Sequence, residues 1–211
     1  MRIKNPDYKY LAEDVLKESD DFEFLAEGVE GETYYFIISK KIMIKNVFLE
    51  PGEYILKIAF EYFNHYNLLY LAELSKKNLI PKIYYYDDNF IIMKYIEGAT
   101  LRTYKDTYSK KIYNIFYNIG KKLRTWHNLN YWHADLSSRN ILIDKKENVY
   151  FIDPRYRNHI KSYDDKIKLD FEILYETIDK FFNKDSEELK EEVIKGYENK
   201  KKNPKKKSKK I

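Results

Sequence analysis

The 211-residue chain, with 44% hydrophobic and 35% charged residues, is long enough to bury a core as one domain or as a compact two-lobed unit. It has no Cys, which excludes a disulfide framework and a thiolate zinc site. No apolar run approaches the length of a membrane span, and the first residues lack the apolar core of a signal peptide, so we expect a cytoplasmic protein with no membrane contact.

The net charge of +5 belongs to the C-terminal tail rather than to the whole chain. The segment Lys200–Lys210 contains eight Lys and no acidic residue, so the remainder carries a net charge of −3. We predict that this tail is disordered. Its lysines would either hold RNA or another polyanion through phosphate contacts or only keep the chain soluble.

The N-terminal part begins with a predicted helix and continues into two predicted strands. Apolar residues at helical spacing predict a short helix before Asp21. The β-prone runs Phe22–Leu25 and Tyr34–Ile38 then flank Gly28 and Gly31. A strand, a glycine-containing turn and a strand form the kind of loop that closes over nucleotide phosphates with its backbone N–H groups. Two glycines between strands also mark an ordinary hairpin, and the local sequence alone does not separate the two interpretations.

A lysine on the third strand would complete such a phosphate site, and two lysines compete for the role. Lys45 lies fourteen residues after Gly31, at the spacing of a short hairpin. Lys57 lies in GEYILKIAF, whose alternate residues are apolar, as in a strand. The same stretch also fits a helix, because charged residues fall at i,i+4 spacing, and Lys57 would then be a surface charge. Spacing favours Lys45 and alternation favours Lys57; we prefer Lys45.

Further elements follow from local patterns along the chain. The segments Tyr62–Lys77 and Ser109–Leu129 carry apolar residues at helical spacing. Between them, two strands are predicted about the polar turn Asp87–Asn89, and Ile167–Phe182 is predicted to be a later helix. His133, just beyond the second helix, is interpreted as structural support, because no acidic or His partner lies at metal-ligand spacing.

The most specific signal is HADLSSRN, the segment His133–Asn140, followed by Asp153 in FIDPR. Asp135 and Asn140 form D-x4-N, and Asp153 follows thirteen residues later, which is the pattern of a kinase catalytic loop and its magnesium-binding aspartate. Asp135 would orient a hydroxyl and accept its proton. Asn140 and Asp153 supply oxygen ligands of the kind that Mg2+ prefers. The alternative is that these residues only form turns and a helix cap.

The segment between Asn140 and Asp153 explains how these two residues would meet. Ile141–Ile143 and Val149–Ile152 are short apolar runs on either side of the polar turn Asp144–Asn148. This pattern predicts a β-hairpin, which returns the chain on itself. Asp153 would then lie beside Asn140.

The kinase interpretation assigns a hinge to Met93–Gly98. Its backbone, including that of Met93 and Tyr95, would hold adenine between two lobes.

The kinase interpretation also requires a Glu on the helix of residues 62–77, to pair with the strand lysine. The expected position holds Asn67, with Glu61 and Glu73 six residues to either side. The identity of this Glu therefore stays open.

HADLSSRNIL, FIDP and DDKIKLDFEILYETIDKFF resemble the small atypical kinases, namely the PRPK-type kinase subunit of the KEOPS tRNA-modifying complex and the related RIO kinases. AEGVEG resembles the glycine-poor nucleotide loop of the PRPK type, and EEVIKGYENKKKNPKKKSKK resembles its Gly-Tyr segment and basic terminus. The resemblance is strongest over Trp126–Phe182 and looser toward the N-terminus.

The resemblance implies ATP and Mg2+ as cofactors and a role for each matching residue. It makes Asp135 the catalytic aspartate and Asn140 and Asp153 the metal ligands. Asp170, in KLDFEIL, resembles the buried helix aspartate that braces the catalytic loop through backbone hydrogen bonds. Two positions depart from ordinary kinases: Ser137 stands where Ser/Thr kinases have Lys, and Asp-Pro-Arg replaces Asp-Phe-Gly.

We predict an α+β, two-lobed, protein-kinase-like fold with a nucleotide-binding lobe over residues 1–95, a helical catalytic lobe over 96–198 and a basic tail over 199–211. The predicted activity is Mg2+-dependent transfer of the ATP γ-phosphoryl group by an atypical Ser/Thr protein kinase or kinase-like ATPase that acts with a protein partner, plausibly on RNA-linked machinery such as tRNA modification. A small-molecule kinase of the aminoglycoside, choline or sugar type and a nucleotide-binding pseudokinase scaffold are the alternatives. The phosphoryl acceptor and the oligomeric state stay open.

Overall fold

The structure is a computed structural model, and the residues it describes are 9–28, 31–60, 65–104, 111–154 and 162–198. The chain divides into two compact units, one ending at Glu97 and the other beginning at Gly98. The N-terminal part is rich in sheet and the C-terminal part is helical, so the predicted α+β fold class is confirmed. The basic tail lies outside the described residues, and the predicted limits of the lobes stay predictions.

The N-terminal unit contains two helices and seven strands among its described residues. These are α1 Lys9–Glu18, β1 Asp21–Glu27, β2 Gly31–Ile38, β3 Ile42–Ile44, β4 Val47–Leu49, β5 Gly52–Ala59, α2 His65–Lys76, β6 Ile83–Tyr86 and β7 Phe90–Lys94. Five of the strands form an antiparallel sheet in the order β1-β2-β5-β7-β6. β3 and β4 form a separate hairpin.

One face of the five-stranded sheet carries the core of this unit. Along β2 and β5 the burial alternates from residue to residue, because the pleat of a strand points successive side chains to opposite faces. The core residues come from α1, the β3–β4 hairpin and the sheet; they are Val15, Tyr34, Phe36, Ile38, Ile42, Ile44, Leu49, Tyr54, Leu56, Ile58, Phe90 and Ile92. The intervening residues of β5, including Lys57, therefore face the opposite side of the sheet.

Two expectations about the lysines are wrong. The segment around Lys57 is not a helix, because β5 pairs with β2 on one side and with β7 on the other, and both ladders satisfy its backbone. Lys45 does not lie on a third strand beside the glycine-containing turn. It lies exposed in the turn between β3 and β4, in the left-handed conformation with φ of 47°. Lys45 has the expected spacing from Gly31 only because the β3–β4 hairpin is inserted between β2 and β5.

The C-terminal unit has four helices and three strands among its described residues. These are β8 Gly98–Thr100, α3 Leu101–Tyr104, α4 Ile112–His127, β9 Ile141–Asp144, β10 Val149–Phe151, α5 Tyr163–Phe182 and α6 Ser186–Glu198. The strands form a small antiparallel sheet in the order β10-β9-β8. A single 3-10 turn, Asn183–Asp185, connects α5 to α6.

Glycines bring α4 and α6 into backbone contact. A Cβ at Gly120 would lie 2.0 Å from the carbonyl oxygen of Val193, and a Cβ at Gly196 would lie 2.0 Å from that of Tyr117. Such distances are far below van der Waals contact, so any side chain here would force the helices apart. The two glycines therefore set the separation of α4 and α6.

The helices and strands predicted from local patterns are confirmed within the described residues. The predicted helices correspond to α1, α2, α4 and α5, and the hairpins about Asp87–Asn89 and Asp144–Asn148 correspond to β6–β7 and β9–β10. The sequence did not predict α6, whose Gly196 lowers its helix propensity. Among the residues that the structure covers, no helix combines the length and the apolar character needed to cross a membrane.

Candidate active site

The β9–β10 hairpin brings Asn140 and Asp153 together. In its register Phe151 pairs with Ile141, and the backbone N–H of Ile152 donates to the carbonyl oxygen of Asn140 at 2.9 Å. Asn140 and Asp153 therefore lie at the open end of the hairpin, one immediately before its first strand and the other one residue beyond Ile152. Asp153 is exposed and adopts the left-handed conformation, with φ of 54°.

The turn of this hairpin is held by Asp144. Its Oδ1 accepts from the backbone N–H groups of Lys146 and Asn148, both at 2.8 Å, and its Oδ2 accepts from the side-chain amide of Asn148 at 2.9 Å. Burial alone would raise the pKa of Asp144, but these hydrogen bonds outweigh burial and lower it below its ordinary value. The Asp at the start of the turn thus explains why this short segment forms a hairpin.

Asp135 is positioned through its backbone. Its carbonyl oxygen accepts from Nδ2 of Asn140 at 2.9 Å, and its N–H donates to Nδ1 of His133 at 3.3 Å. The backbone N–H of Asn140 also donates to the carbonyl oxygen of Ser137 at 2.9 Å, which closes the turn between the two residues. The half-buried Asp135 is therefore tied to the same asparagine that lies beside Asp153.

His133 connects the loop to the strand that leads to Asp153. Because Nδ1 accepts from Asp135, Nε2 carries the ring proton and donates to the carbonyl oxygen of Ile152 at 2.9 Å. The ring is fully buried, with the rings of Trp126 and Phe151 packed against it at centroid distances of 5.3 and 5.9 Å. Burial lowers the pKa of His133 below its ordinary value, so the neutral form that this geometry requires is favoured.

Asp170, on α5, holds the backbone on the other side of the loop. Its Oδ2 accepts from the N–H of His133 at 2.8 Å, and its Oδ1 accepts from the N–H of Ala134 at 2.7 Å. The carboxyl group is completely buried. Ala134 has a φ of 60°, a left-handed conformation that costs about 1 kcal/mol for a residue with a Cβ. The two hydrogen bonds from Asp170 hold this strained residue in place.

The donor set at the open end of the hairpin fits Mg2+. The Asn140 amide is oriented by its Nδ2 hydrogen bond, which leaves Oδ1 as the ligand atom, and the neighbouring Asp153 offers an exposed carboxylate. Mg2+ takes one or two protein oxygens and completes its shell with water and phosphate. Within the described residues, no group of three or more His, Cys, Asp or Glu side chains could hold a metal ion, so the arrangement does not resemble a closed zinc site.

In the N-terminal unit, the two glycines predicted to contact phosphates differ in their surroundings. The N–H of Gly28 donates to the carbonyl oxygen of Gly31 at 2.8 Å, which closes the turn from β1 to β2. A Cβ at Gly31 would lie 2.0 Å from the carbonyl oxygen of Ile58, so the close approach of β2 and β5 accounts for that glycine. Among the described residues, a Cβ at Gly28 would meet only the carbonyl oxygen of Gly31, at 3.8 Å. The tip of the turn, residues 29 and 30, lies outside the described residues.

Lys57 occupies a central place in the sheet. It pairs with Thr33 of β2 and with Ile91 of β7, on the face opposite the core. The helix α2 contributes one acidic residue, the half-buried Glu73. Asn67 also lies on α2, whereas Glu61 lies outside the described residues.

The predicted hinge residues Met93 and Tyr95 lie at the end of β7. Met93 pairs with Ile55 of β5 and is half-buried. The N–H of Tyr95 donates to the carbonyl oxygen of Glu53 at 3.1 Å, and its ring contacts Tyr35 edge-to-face at 4.8 Å. The N–H of Tyr95 is thus already used by a hydrogen bond within this unit.

Some residues of the site could not be found from local sequence. His127 contacts Asp170 with Nε2 at 3.0 Å and the Tyr197 hydroxyl with Nδ1 at 2.9 Å, and these partners lie 43 and 70 residues away in the chain. Thr177, two turns after Asp170 on α5, lies 3.5 Å from the carbonyl oxygen of Leu136. For these contacts the sequence analysis offered only the Gly-Tyr segment at residues 196–197, and it assigned no structural role to that segment.

Comparison with models of known protein families shows which family the chain belongs to. The model of the RIO domain matches residues 65–193, which is more than half of the chain. The chain belongs to the RIO family. Members of this family are atypical protein kinases and ATPases, so a kinase-like domain is assigned. Comparison with curated protein sequences gave no match.

The RIO match covers α2 and most of the C-terminal unit. It therefore includes the segments that carry Asp135, Asn140, Asp153 and Asp170. Strands β1 to β5, with the glycine-containing turn and Lys57, precede the matched residues. Tyr197 lies just beyond them.

Proposed function

We propose that this RIO chain is a Mg2+-dependent phosphotransferase that uses ATP, either as an atypical Ser/Thr protein kinase or as a kinase-like ATPase. One observation carries the proposal. The hairpin places Asn140 beside Asp153, and the amide of the same Asn140 holds the backbone of Asp135 at 2.9 Å. An acid–base carboxylate and two oxygen ligands therefore occupy one small region.

The roles follow from the chemistry of these groups. Asn140 and Asp153 would hold Mg2+, which supplies charge neutralisation for the transferring phosphoryl group. Asp135, whose backbone is fixed at both its N–H and its carbonyl oxygen, orients the acceptor hydroxyl or water and takes up its proton. Asp170 and His133 keep the loop in this conformation. Catalysis then comes from positioning and electrostatics rather than from a covalent step.

The test is ATP turnover by the full chain with Mg2+, beside Asp135→Ala and Asp153→Ala. Both variants should lose at least about 100-fold in kcat, as expected for removal of a general base or a metal ligand. Asp179→Ala, an exposed carboxylate on α5, is the control and should keep full activity. Tight ATP binding without turnover, even with candidate partners, would favour the scaffold alternative. Absence of nucleotide binding would contradict the kinase assignment.

We further propose that Lys57 is the phosphate-binding lysine and that Glu73 is its helix partner. The support is the place of Lys57 at the centre of the sheet and the presence of a single carboxylate on α2. Lys57→Met and Glu73→Gln should each raise the KM for ATP by about tenfold or more. Lys45→Met, in the exposed turn, is the matched control. If Lys45→Met alone weakened ATP binding, the assignment would be reversed.

The finer resemblance to the PRPK-type kinase of the KEOPS complex suggests a protein partner and RNA-linked machinery. The Gly-Tyr segment and the lysine-rich tail support this part of the proposal. Phosphate transfer to protein, to a small molecule or to water can be separated by following the γ-phosphate of labelled ATP with and without a partner. Transfer only to a small-molecule acceptor would favour the aminoglycoside, choline or sugar kinase alternative.

A further inference from the structure

The end of α6 docks beside the helix that precedes the catalytic loop. The hydroxyl of Tyr197 lies 2.9 Å from Nδ1 of His127, and the carbonyl oxygen of Tyr197 accepts from Nη1 of Arg124 at 2.9 Å. The ring of Tyr197 contacts Phe171 of α5 edge-to-face at 4.9 Å. Gly196 permits this approach, because a Cβ there would collide with the backbone of α4.

The directions of the hydrogen bonds around His127 follow from its partners. The buried carboxylate of Asp170 only accepts, so Nε2 of His127 carries the ring proton and donates to Oδ2 at 3.0 Å. In the tautomer whose single ring proton is on Nε2, Nδ1 carries a lone pair, and the hydroxyl of Tyr197, 2.9 Å away, can donate to it. Burial raises the pKa of Tyr197, so the hydroxyl stays protonated and remains a donor.

His127 completes the shell of a carboxylate that already accepts from two backbone N–H groups. Those groups belong to His133 and Ala134, the two residues before Asp135. His127 is 1% exposed and Asp170 is 0% exposed, so water does not substitute for a lost donor without rearrangement. A chain of hydrogen bonds therefore runs from the end of α6, through His127 and Asp170, to the catalytic loop.

We propose that Tyr197 is a positioning residue for phosphoryl transfer. Its hydroxyl holds the orientation of the His127 ring, His127 holds Asp170, and Asp170 in turn holds the backbone that presents Asp135. The catalytic part of this inference rests on the proposed function, whereas the structural part concerns the loop alone. Gly196 and Tyr197 then act together. Gly196 lets α4 and α6 approach closely, and this approach brings the hydroxyl of Tyr197 within hydrogen-bond distance of His127.

The test compares Tyr197→Phe with Tyr113→Phe. Tyr113 also joins α4 to α6 through its hydroxyl, which donates to Glu188 at 2.7 Å on the surface, so it controls for the loss of an interhelix hydrogen bond. In Tyr197→Phe, amide hydrogen exchange at His133 and Ala134 should quicken about tenfold, as expected for one lost buried hydrogen bond. The Nδ1 resonance of His127 should shift. kcat should fall about tenfold with the KM for ATP within twofold. Tyr113→Phe should change none of these.

A second variant tests whether Tyr197 acts through His127. In His127→Gln the side-chain amide can donate to Asp170 without help from Tyr197, so adding Tyr197→Phe should change the exchange rates no further. Additive effects in the double variant would overturn the proposal.

The catalytic role and the structural role proposed for Tyr197 can be refuted by different results. If wild-type protein does not turn over ATP, the proposed function fails, and the exchange rates and the His127 resonance still decide the positioning role. Unchanged exchange and an unchanged resonance in Tyr197→Phe would overturn it whatever the activity. Faster exchange with unaltered kcat in an active enzyme would also overturn it, because the loop would then not depend on Tyr197 for catalysis.

Discussion

The buried carboxylate of Asp170 accepts hydrogen bonds from two backbone N–H groups and contacts His127. Replacing Asp170 with Asn turns one of its two acceptor oxygens into an NH2 group, which then faces the N–H of either His133 or Ala134 and leaves that buried donor unmatched. We expect Asp170→Asn to lower the free energy of unfolding by about 3 kcal/mol, measured by denaturant unfolding. Asp179→Asn, on the exposed side of the same helix, removes the charge of a surface carboxylate that pairs with Lys190 and should cost less than about 1 kcal/mol. Equal effects of the two changes would contradict the bracing role.

The pH dependence of the free energy of unfolding should reflect the protonation of His133. Burial lowers the pKa of its folded-state imidazole below the ordinary 6.5. As the pH falls below this value, the unfolded chain takes up a proton first, so protonation favours unfolding and stability falls with falling pH until the lowered pKa is passed. A proton on Nδ1 would also oppose the N–H of Asp135. Urea unfolding between pH 5 and 7 should show this loss in the wild type and a flatter profile in His133→Gln. Profiles of equal slope would show that another group is responsible.

Residues whose roles depend on distant partners set the limit of what the sequence could predict. Asp135, Asn140 and Asp153 could be found because their spacing and the intervening hairpin form a local pattern. His127 could not be linked to Asp170, or Tyr197 to His127, since those contacts arise only when three helices pack together. The expectation that Lys45 lies on the third strand was wrong for a similar reason, because the pairing of β5 with β2 and β7 is not encoded within the segment.

At the level of elements, the close contact between α4 and α6 should not tolerate a Cβ at Gly196. Alanine favours an isolated helix over glycine by about 1 kcal/mol. At Gly196, however, the new Cβ would meet the carbonyl oxygen of Tyr117, so Gly196→Ala should instead lower the unfolding free energy by about 2 kcal/mol. Thermal unfolding measures the change. Gly28→Ala, where a Cβ has room, should have little effect on stability and serves as the control. A stabilised Gly196→Ala would mean that the helices separate at no cost.

Elements with strong local patterns were predictable, and those defined by packing were not. The β9–β10 hairpin has two apolar runs and an Asp-initiated turn, and α4 has an unbroken apolar stripe along one side. In α6 the buried residues are Leu189, Val193 and Gly196, which give a weak pattern with a helix-disfavouring glycine in it. Its docking against α4 supplies the stabilisation that its sequence lacks.

At the scale of the whole molecule, the position of the positive charge allows RNA binding by the tail to be tested against a solubilising role. Deleting residues 200–211 removes eight Lys, so the net charge changes from +5 to −3. If the tail holds single-stranded RNA, the slope of log affinity against log salt should become shallower by up to about 5 on deletion. A tail of the same composition in scrambled order should bind as the wild type does, because phosphate contacts do not depend on sequence. Unchanged RNA and partner binding at low salt would reduce the tail to a solubilising segment.

The two faces of strand β5 are subject to different kinds of selective pressure. Tyr54, Leu56 and Ile58 are enclosed by the core, so their replacement is limited by volume and polarity whatever the chain binds. Ile55 and Lys57, only one position away, are half-buried on the opposite face and lie outside that core. A change of ligand during evolution could therefore be recorded at odd positions of this strand while the even positions stay constant. A mutational library that varies only residues 53, 55 and 57 would leave the core residues of β5 unchanged and would test whether the opposite face contributes to ligand binding.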